Sequence, residues 1–290
     1  MPASRPDYRR LSDGIAEEAN LLVRALETVE LDRPSPTCPG WTAGHLAEHL
    51  HQALAWGAML VEVRAPQFIP PTGAAEGAGQ GETDWTDAVN DLALGSPAQF
   101  GDEDGRDKLT AWLVDGAERF VAALRDSGPH APVWTTFGPH ETAFWARWGA
   151  MEVAVHRADV ELLAGREFRL SADLSYDSVD FWLAALSDPA TVPFYDPKVT
   201  NLRGTGETLL FRVTDAPPDA PSAWLVTRTP DGPRAETDPV ATAGSADVVV
   251  TGGCADLVLL LKRRLPATDP AITVTGETAL LTHWLANALT

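Results

Sequence analysis

Residues 44–51 read Gly-His-Leu-Ala-Glu-His-Leu-His, and the pattern around them turns one of the three histidines, His49, toward the protein core. The segment continues at helical spacing, and the stripe that contains His49 carries the apolar residues Ala53, Trp56, Leu60 and Val63. This pattern predicts an amphipathic helix with an imidazole on its inner face. Thr42 is the predicted N-cap, and we expect the helix to run to about Arg64.

A second segment, from about Glu141 to Ala164, also turns polar side chains inward. Glu152 and His156 are four residues apart, on the stripe that carries Phe144, Trp148, Val155 and Leu163. An inward carboxylate is unfavourable unless it is paired, protonated or coordinated. A divalent metal shared by both helices would satisfy all three side chains. Two imidazoles and one carboxylate suit zinc with an open fourth position. An internal hydrogen bond between glutamate and histidine is the alternative, and on spacing alone it is the commoner arrangement.

Two more helical stripes complete a predicted antiparallel four-helix bundle. One runs from Leu11 to Val29 and the other from Leu109 to Leu124. Between the second and third helices, residues 66–107 hold four prolines, seven glycines and nine acidic residues against the single basic Arg106. We interpret this segment as a long exposed crossover, with a short helix expected at 85–94.

The C-terminal third changes from helical spacing to β-rich runs. A fifth helix is predicted from Leu174 to Leu186, after a cap at Ser171. The predicted strands are 208–213, 223–229, 247–251 and 271–275, with helices at 254–265 and 277–289. We therefore predict an α+β protein of two domains, a helical bundle over residues 1–188 and a small α+β domain over 189–290.

Composition limits the classes of function. The chain has 290 residues and a net charge of −19, a field that disfavours nucleic acid and anionic lipid as partners. Cys38 and Cys254 are the only cysteines, which excludes a disulfide scaffold and a cysteine-based zinc site. No apolar run is as long as a membrane span, and the N-terminus lacks the core of a signal peptide. We expect a cytoplasmic protein that binds neither membrane nor nucleic acid.

Three stretches carry a family resemblance. Residues 38–50 read Cys-Pro-Gly-Trp-Thr-Ala-Gly-His-Leu-Ala-Glu-His-Leu, and residues 146–159 read Ala-Arg-Trp-Gly-Ala-Met-Glu-Val-Ala-Val-His-Arg-Ala-Asp. The third is Asp256–Leu265 followed by Val274–Leu281. Together they resemble the mycothiol-dependent maleylpyruvate isomerase family of actinobacteria, over nearly the whole chain.

The resemblance implies a DinB-like four-helix bundle that carries a divalent metal, usually zinc, and a C-terminal domain similar to sterol-carrier folds. The family's ligand motif falls on His49, Glu152 and His156, the three residues that periodicity also selects. The implied cosubstrate is mycothiol, whose metal-bound thiolate would add to an electrophilic, anionic substrate and isomerise it. The acidic crossover could reshape the substrate entrance, so a different activated alkene, an epoxide or a substrate with a leaving group stays an alternative to maleylpyruvate.

A basic cluster, Lys262, Arg263 and Arg264, is the densest positive charge of the C-terminal domain. Arg263 and Arg264 are candidate catalytic residues that would bind the anionic substrate; the alternative is that they complement a helix dipole. Two other functions remain open from the sequence. One is a zinc hydrolase with metal-bound hydroxide, and the other is a non-catalytic protein that binds a small apolar ligand.

Overall fold

The structure, a computed structural model, describes residues 6–71, 103–188, 197–216, 220–237 and 246–288. Within these ranges it has seven α-helices, one 3-10 helix and one five-stranded sheet, which confirms the predicted α+β class. The helix expected at 85–94 lies outside the described residues. None of the described helices combines the length and the apolar character that crossing a bilayer requires.

The first four helices form the predicted bundle. They are α1 (Tyr8–Leu26), α2 (Ala43–Glu62), α3 (Glu103–Ser127) and α4 (Thr142–Leu163). α1 packs mainly against α4, and α2 packs mainly against α3. Residues 103–107 were predicted to end the crossover, but they already belong to α3. Their acidic composition hid the helix, because its apolar stripe begins only at the fully buried Leu109.

Both ends of α2 are closed by specific hydrogen bonds. At the N-terminus the Thr42 hydroxyl accepts from the His45 backbone N–H (3.3 Å), and the His45 Nδ1 accepts from the Thr42 N–H (3.1 Å). At the C-terminus Arg64 adopts a positive φ of 48°. The N–H of Ala65 then donates to the carbonyl of Leu60 (3.0 Å). This is a Schellman ending with arginine where glycine is usual.

The remaining elements form the C-terminal part of the chain. In order they are α5 (Ala172–Ser187), a 3-10 helix (Pro197–Leu202), β1 (Thr208–Val213), β2 (Ala223–Thr229), β3 (Gly232–Thr237), β4 (Val248–Gly252), α6 (Cys254–Leu261), β5 (Thr273–Gly276) and α7 (Thr278–Asn287). The strand order is β3-β2-β1-β4-β5. β1 pairs in parallel with β4, and every other pairing is antiparallel.

Two details of this part differ from the sequence-based prediction. β3 was not predicted because it has a proline, Pro233, and little apolar character; the sheet tolerates both because β3 is an edge strand. α6 ends at Leu261 rather than at 265, because Arg263 adopts a positive φ of 59° and turns the chain. The N–H of Arg264 then donates to the carbonyl of Leu259 (2.7 Å).

The chain divides into two compact units near Phe168, well before the predicted boundary at 188/189. α5 belongs to the C-terminal unit because it packs against α6 and β3. Asp180 of α5 accepts a hydrogen bond from the Trp224 indole (3.1 Å), and Ser187 accepts one from the Ala235 N–H (2.9 Å). Residues 136–138 also cluster with this unit. Helical periodicity located α5, but it carries no information about which neighbour covers the helix.

Candidate metal centre

The three predicted ligands come together between α2 and α4. His49 lies in the N-terminal half of α2, and Glu152 and His156 occupy successive turns of α4. One ligand atom from each lies within 4.8 Å of the other two. The Glu152 Oε1 is 3.2 Å from the His49 Nε2 and 3.4 Å from the His156 Nε2. Both histidines are buried, at 8% and 9% exposure.

This donor set fits a divalent metal ion. Two imidazole nitrogens converge on one carboxylate oxygen, at distances longer than strong charge-assisted hydrogen bonds. The other ring nitrogen of His49, Nδ1, is buried without a hydrogen-bond partner among the described residues. Hydrogen bonds among the described residues therefore satisfy only some of the polar atoms of the three side chains. Two imidazoles and a carboxylate on rigid helices are a ligand set typical of zinc with an open coordination position.

A layer of polar residues behind His156 fixes the orientation of its ring. The Asp159 Oδ2 is 2.9 Å from the His156 Nδ1, so this carboxylate accepts the Nδ1 proton and leaves Nε2 directed at Glu152. Asp159 is fully buried. Its other oxygen accepts from the Thr37 hydroxyl (2.6 Å), and the Cys38 thiol donates to Oδ2 (3.4 Å). Asp159 therefore orients the imidazole.

Burial and hydrogen bonding shift the pKa values of the three candidate ligands in opposite directions. Burial alone would raise the pKa of Glu152, but hydrogen bonds with His156 and His49 outweigh it and hold that pKa well below its usual value. Burial would lower the pKa of His156, yet Asp159 and Glu152 raise it. For His49 burial dominates and lowers the pKa. Without an ion the group therefore favours an ionised Glu152 and a neutral His49.

Trp41 stands beside the candidate ligands. Its ring centroid is 5.1 Å from that of His49, edge to face, and the His49 and His156 rings are 4.9 Å apart. Trp145 and Trp148 pack in the aromatic core of the bundle with Trp56 and Phe120. Trp41 therefore lies against the candidate metal centre.

Sequence reasoning assigned no site role to Thr37 or to Cys38. The structure places Cys38 at intermediate exposure, with its thiol against Asp159. Cys38, His156 and Asp159 form a second group of potential ligands with atoms within 4.8 Å of one another. No local sequence pattern predicts these contacts, because Thr37 and Cys38 lie more than a hundred residues from Asp159. The only signal was the spacing of His156 and Asp159 on one helix face.

The basic cluster belongs to the C-terminal unit. Lys262 is 5% exposed, with its Nζ 3.1 Å from the centroid of the Trp182 ring, so a cation–π contact holds it inside that unit. Arg263 occupies the left-handed position that ends α6, and the Arg264 guanidinium donates to the Lys262 carbonyl (2.7 Å). Of the three cations, Lys262 is thus committed to packing.

A helical bundle with an inward histidine, glutamate and histidine is of the DinB-like class. The family model described as mycothiol maleylpyruvate isomerase N-terminal domain matches residues 13–161, just over half of the chain, and the protein belongs to that family. Two solved structures are similar over 96% of this chain and 97% of theirs, each with a TM-score of 0.56. They are the crystal structures of the mycothiol-dependent maleylpyruvate isomerase (17% identity) and of a mutant with one histidine replaced by alanine (16% identity). At this identity the likeness establishes the fold. No curated protein matches the sequence.

Proposed function

We propose that this protein is a metal-dependent enzyme that uses mycothiol, either to isomerise a small electrophilic substrate or to transfer the thiol to it. The observation that carries the proposal is the convergence of His49, Glu152 and His156 within 4.8 Å in a member of this family. A reducing cytoplasm is the compartment that fits, since the enzyme would require a free thiol as cosubstrate.

In this proposal His49, Glu152 and His156 hold the ion, and zinc is the metal that the donor set suits best. A bound zinc ion would lower the pKa of a coordinating thiol, so that the mycothiol sulfur would lose its proton to water and become nucleophilic at neutral pH. The lowered pKa of His49 favours the neutral imidazole that metal binding requires. Asp159 holds the proton on the His156 Nδ1 and so keeps the His156 Nε2 lone pair directed into the group.

The isomerisation itself needs no cysteine of the protein. The mycothiolate sulfur adds to one carbon of a cis double bond conjugated to a carbonyl, and the π electrons move onto the carbonyl oxygen to give an enolate. Rotation then follows about the carbon–carbon bond that was the cis double bond. Collapse of the enolate then re-forms the double bond as trans and expels the thiolate unchanged. Burial raises the pKa of Cys254 to about 12, so this thiol is not a competing nucleophile.

The first test is metal content with its response to the thiol. Elemental mass spectrometry should find about one divalent metal per chain, and His49→Ala, Glu152→Ala and His156→Ala should each lose most of it while far-UV circular dichroism stays helical. His51→Ala is the matched control, because His51 lies on α2 but contacts the Trp112 carbonyl (3.0 Å) instead of the metal group. Adding mycothiol to the cobalt-substituted protein should produce a thiolate-to-metal absorption band.

The alternatives give different results in the same experiment. Metal that does not respond to mycothiol would favour a hydrolase with metal-bound hydroxide. Full metal retention in all three variants would refute the site, and a chain without metal would leave a ligand-binding protein. The likeness of the C-terminal domain to sterol-carrier folds stays a prediction.

We further propose that Arg263 and Arg264 bind the substrate anion, since a chain of charge −19 needs local positive charge to hold one. Arg264→Gln should raise KM or lower kcat for maleylpyruvate isomerisation without releasing metal. Arg263→Gly should do the same, and glycine suits the positive φ of that position. Unchanged kinetics in both variants would leave the two arginines the role of complementing the dipole of α6.

A further inference from the structure

A cavity of about 350 Å³ lies where α2 ends and α4 begins. It is lined by Arg64, Pro66, Pro132, Val133, Trp134 and His140. About four turns of α2 separate Arg64 from His49, which corresponds to roughly 20 Å. The cavity is thus at the opposite end of the bundle from the metal group, and its volume is that of a site for a small ligand.

The aromatic wall of the cavity is held in place from several sides. The Trp134 N–H donates to the Ala65 carbonyl (2.7 Å), and the Trp145 indole donates to the Trp134 carbonyl (2.9 Å). The Trp134 ring packs edge-on against Phe68, with 5.1 Å between centroids. The Trp56 indole donates to the Ile69 carbonyl (2.7 Å) and so fixes the neighbouring loop. A ligand would therefore meet a preformed apolar surface, at little ordering cost.

The ionisable groups of the described lining are suited to an anion. Among the described residues that line the cavity, Arg64 and His140 are the ionisable ones, and none carries a carboxylate. The Thr135 N–H (3.3 Å) and the Thr135 hydroxyl (2.9 Å) both contact the His140 Nδ1 and can both donate to it, which places the ring proton on Nε2. A guanidinium and an imidazole N–H thus border an apolar wall, in a chain whose net charge is −19.

Among the described residues, the acidic side chains adjacent in sequence, Glu62 and Glu141, are engaged elsewhere. Glu62 receives two hydrogen bonds from Arg119, at 2.8 and 2.6 Å. Glu141 is 2.8 Å from the His130 Nδ1. Arg64 itself adopts the left-handed conformation that glycine adopts without steric cost, so arginine here is not explained by the needs of the helix end. Its side chain is exposed and lines the cavity, where it can meet a ligand.

We propose that this cavity binds a small organic anion with a flat apolar body. The carboxylate pairs with Arg64 and accepts a hydrogen bond from the His140 Nε2–H, and the apolar body lies against Trp134 and Val133. The inference does not rest on the metal group or on the use of mycothiol, because it involves none of the same residues.

The test is a titration of the full-length protein with 4-fluorobenzoate, followed by ¹⁹F NMR, with the neutral 4-fluorobenzamide as the matched probe. Saturable binding of the benzoate is expected, with the amide at least tenfold weaker. Arg64→Gln should weaken benzoate binding at least tenfold. Arg64→Gly should do the same and keeps the helix end in its preferred conformation. Arg24→Gln, which removes an exposed guanidinium from α1, is the control and should bind like the wild type.

The metal group is the competing site for a carboxylate, and His49→Ala separates the two. Unchanged benzoate binding in His49→Ala supports the cavity, whereas its loss there would assign the anion to the metal group and overturn the proposal. The proposal is equally overturned if the wild-type chain shows no saturable binding, or if both Arg64 variants bind as tightly as the wild type.

Discussion

At the scale of single residues, Asp159 is the side chain that orients His156 in the candidate metal centre. It accepts from the His156 Nδ1, from the Thr37 hydroxyl and from the Cys38 thiol while fully buried. These contacts hold the carboxylate in place, and its hydrogen bond with Nδ1 orients the His156 ring. A metal ligand positioned in this way is sensitive to the loss of the charge behind it.

Asp159→Asn keeps the shape of the side chain but replaces an acceptor oxygen by an NH2 that faces donors. We expect the affinity for zinc to fall about 10- to 100-fold, the usual effect of losing such a partner. Competition against a chromogenic chelator measures it. Thr37→Val is the graded comparison, because it removes one of the three donors and should cost less. An Asp159→Asn protein that binds zinc as the wild type does would contradict the orienting role.

At the scale of helices, the bundle depends on the close approach of α1, α3 and α4 at Gly149. A Cβ atom on Gly149 would come within 2.6 Å of the Phe120 Cε1 and 2.9 Å of the Ile15 Cδ1, closer than packed atoms approach. Gly116 of α3 differs, because a Cβ atom there would meet its nearest neighbour, the His51 Nδ1, at 3.5 Å. The two glycines therefore respond in opposite directions to the same substitution.

Gly149→Ala should lower the free energy of unfolding by about 1–3 kcal/mol, the usual cost of overpacking a core. Gly116→Ala should raise it by about 0.5–1 kcal/mol, because alanine restricts the unfolded chain and favours a helix. Urea titrations followed by circular dichroism give both values. If Gly149→Ala were as stable as the wild type, the Phe120 and Ile15 side chains would have to move aside freely.

The same scale shows which parts of the fold the sequence could predict. α2 and the inward positions of His49, Glu152 and His156 were predictable, since a periodic stripe and a threonine cap are local signals. β3 was not, because an edge strand needs neither a buried face nor a full set of N–H donors, and Pro233 obscured it. The contact of Thr37 with Asp159 joins residues 122 positions apart, and only the packed bundle creates it.

At the scale of the whole molecule, the position of α5 decides how the chain can be divided. α5 was predicted to lie within the N-terminal domain, residues 1–188, but it packs against α6 and β3 in the C-terminal unit. Its buried residues include Phe181, Trp182 and Leu183. A C-terminal fragment without α5 would therefore expose a large apolar surface on the sheet and on α6.

We expect a fragment of residues 169–290 to stay monomeric and to unfold cooperatively in urea. A fragment of residues 189–290, cut at the boundary that periodicity predicted, should aggregate or unfold without a clear transition. Size-exclusion chromatography and urea titration of both fragments distinguish the two boundaries. Equal behaviour of the fragments would mean that α5 contributes little to the core of this unit.

The tryptophans of the bundle have a consequence for spectroscopy. Trp56, Trp134, Trp145 and Trp148 lie in a chain of ring contacts, with centroids 5.3–6.4 Å apart. Identical chromophores at such distances couple their electronic transitions, so these four indoles share their excitation instead of absorbing independently. The folded bundle should give strong near-ultraviolet circular dichroism from coupled tryptophans. Because Trp134 lines the cavity, a ligand bound there should change the intensity of this signal.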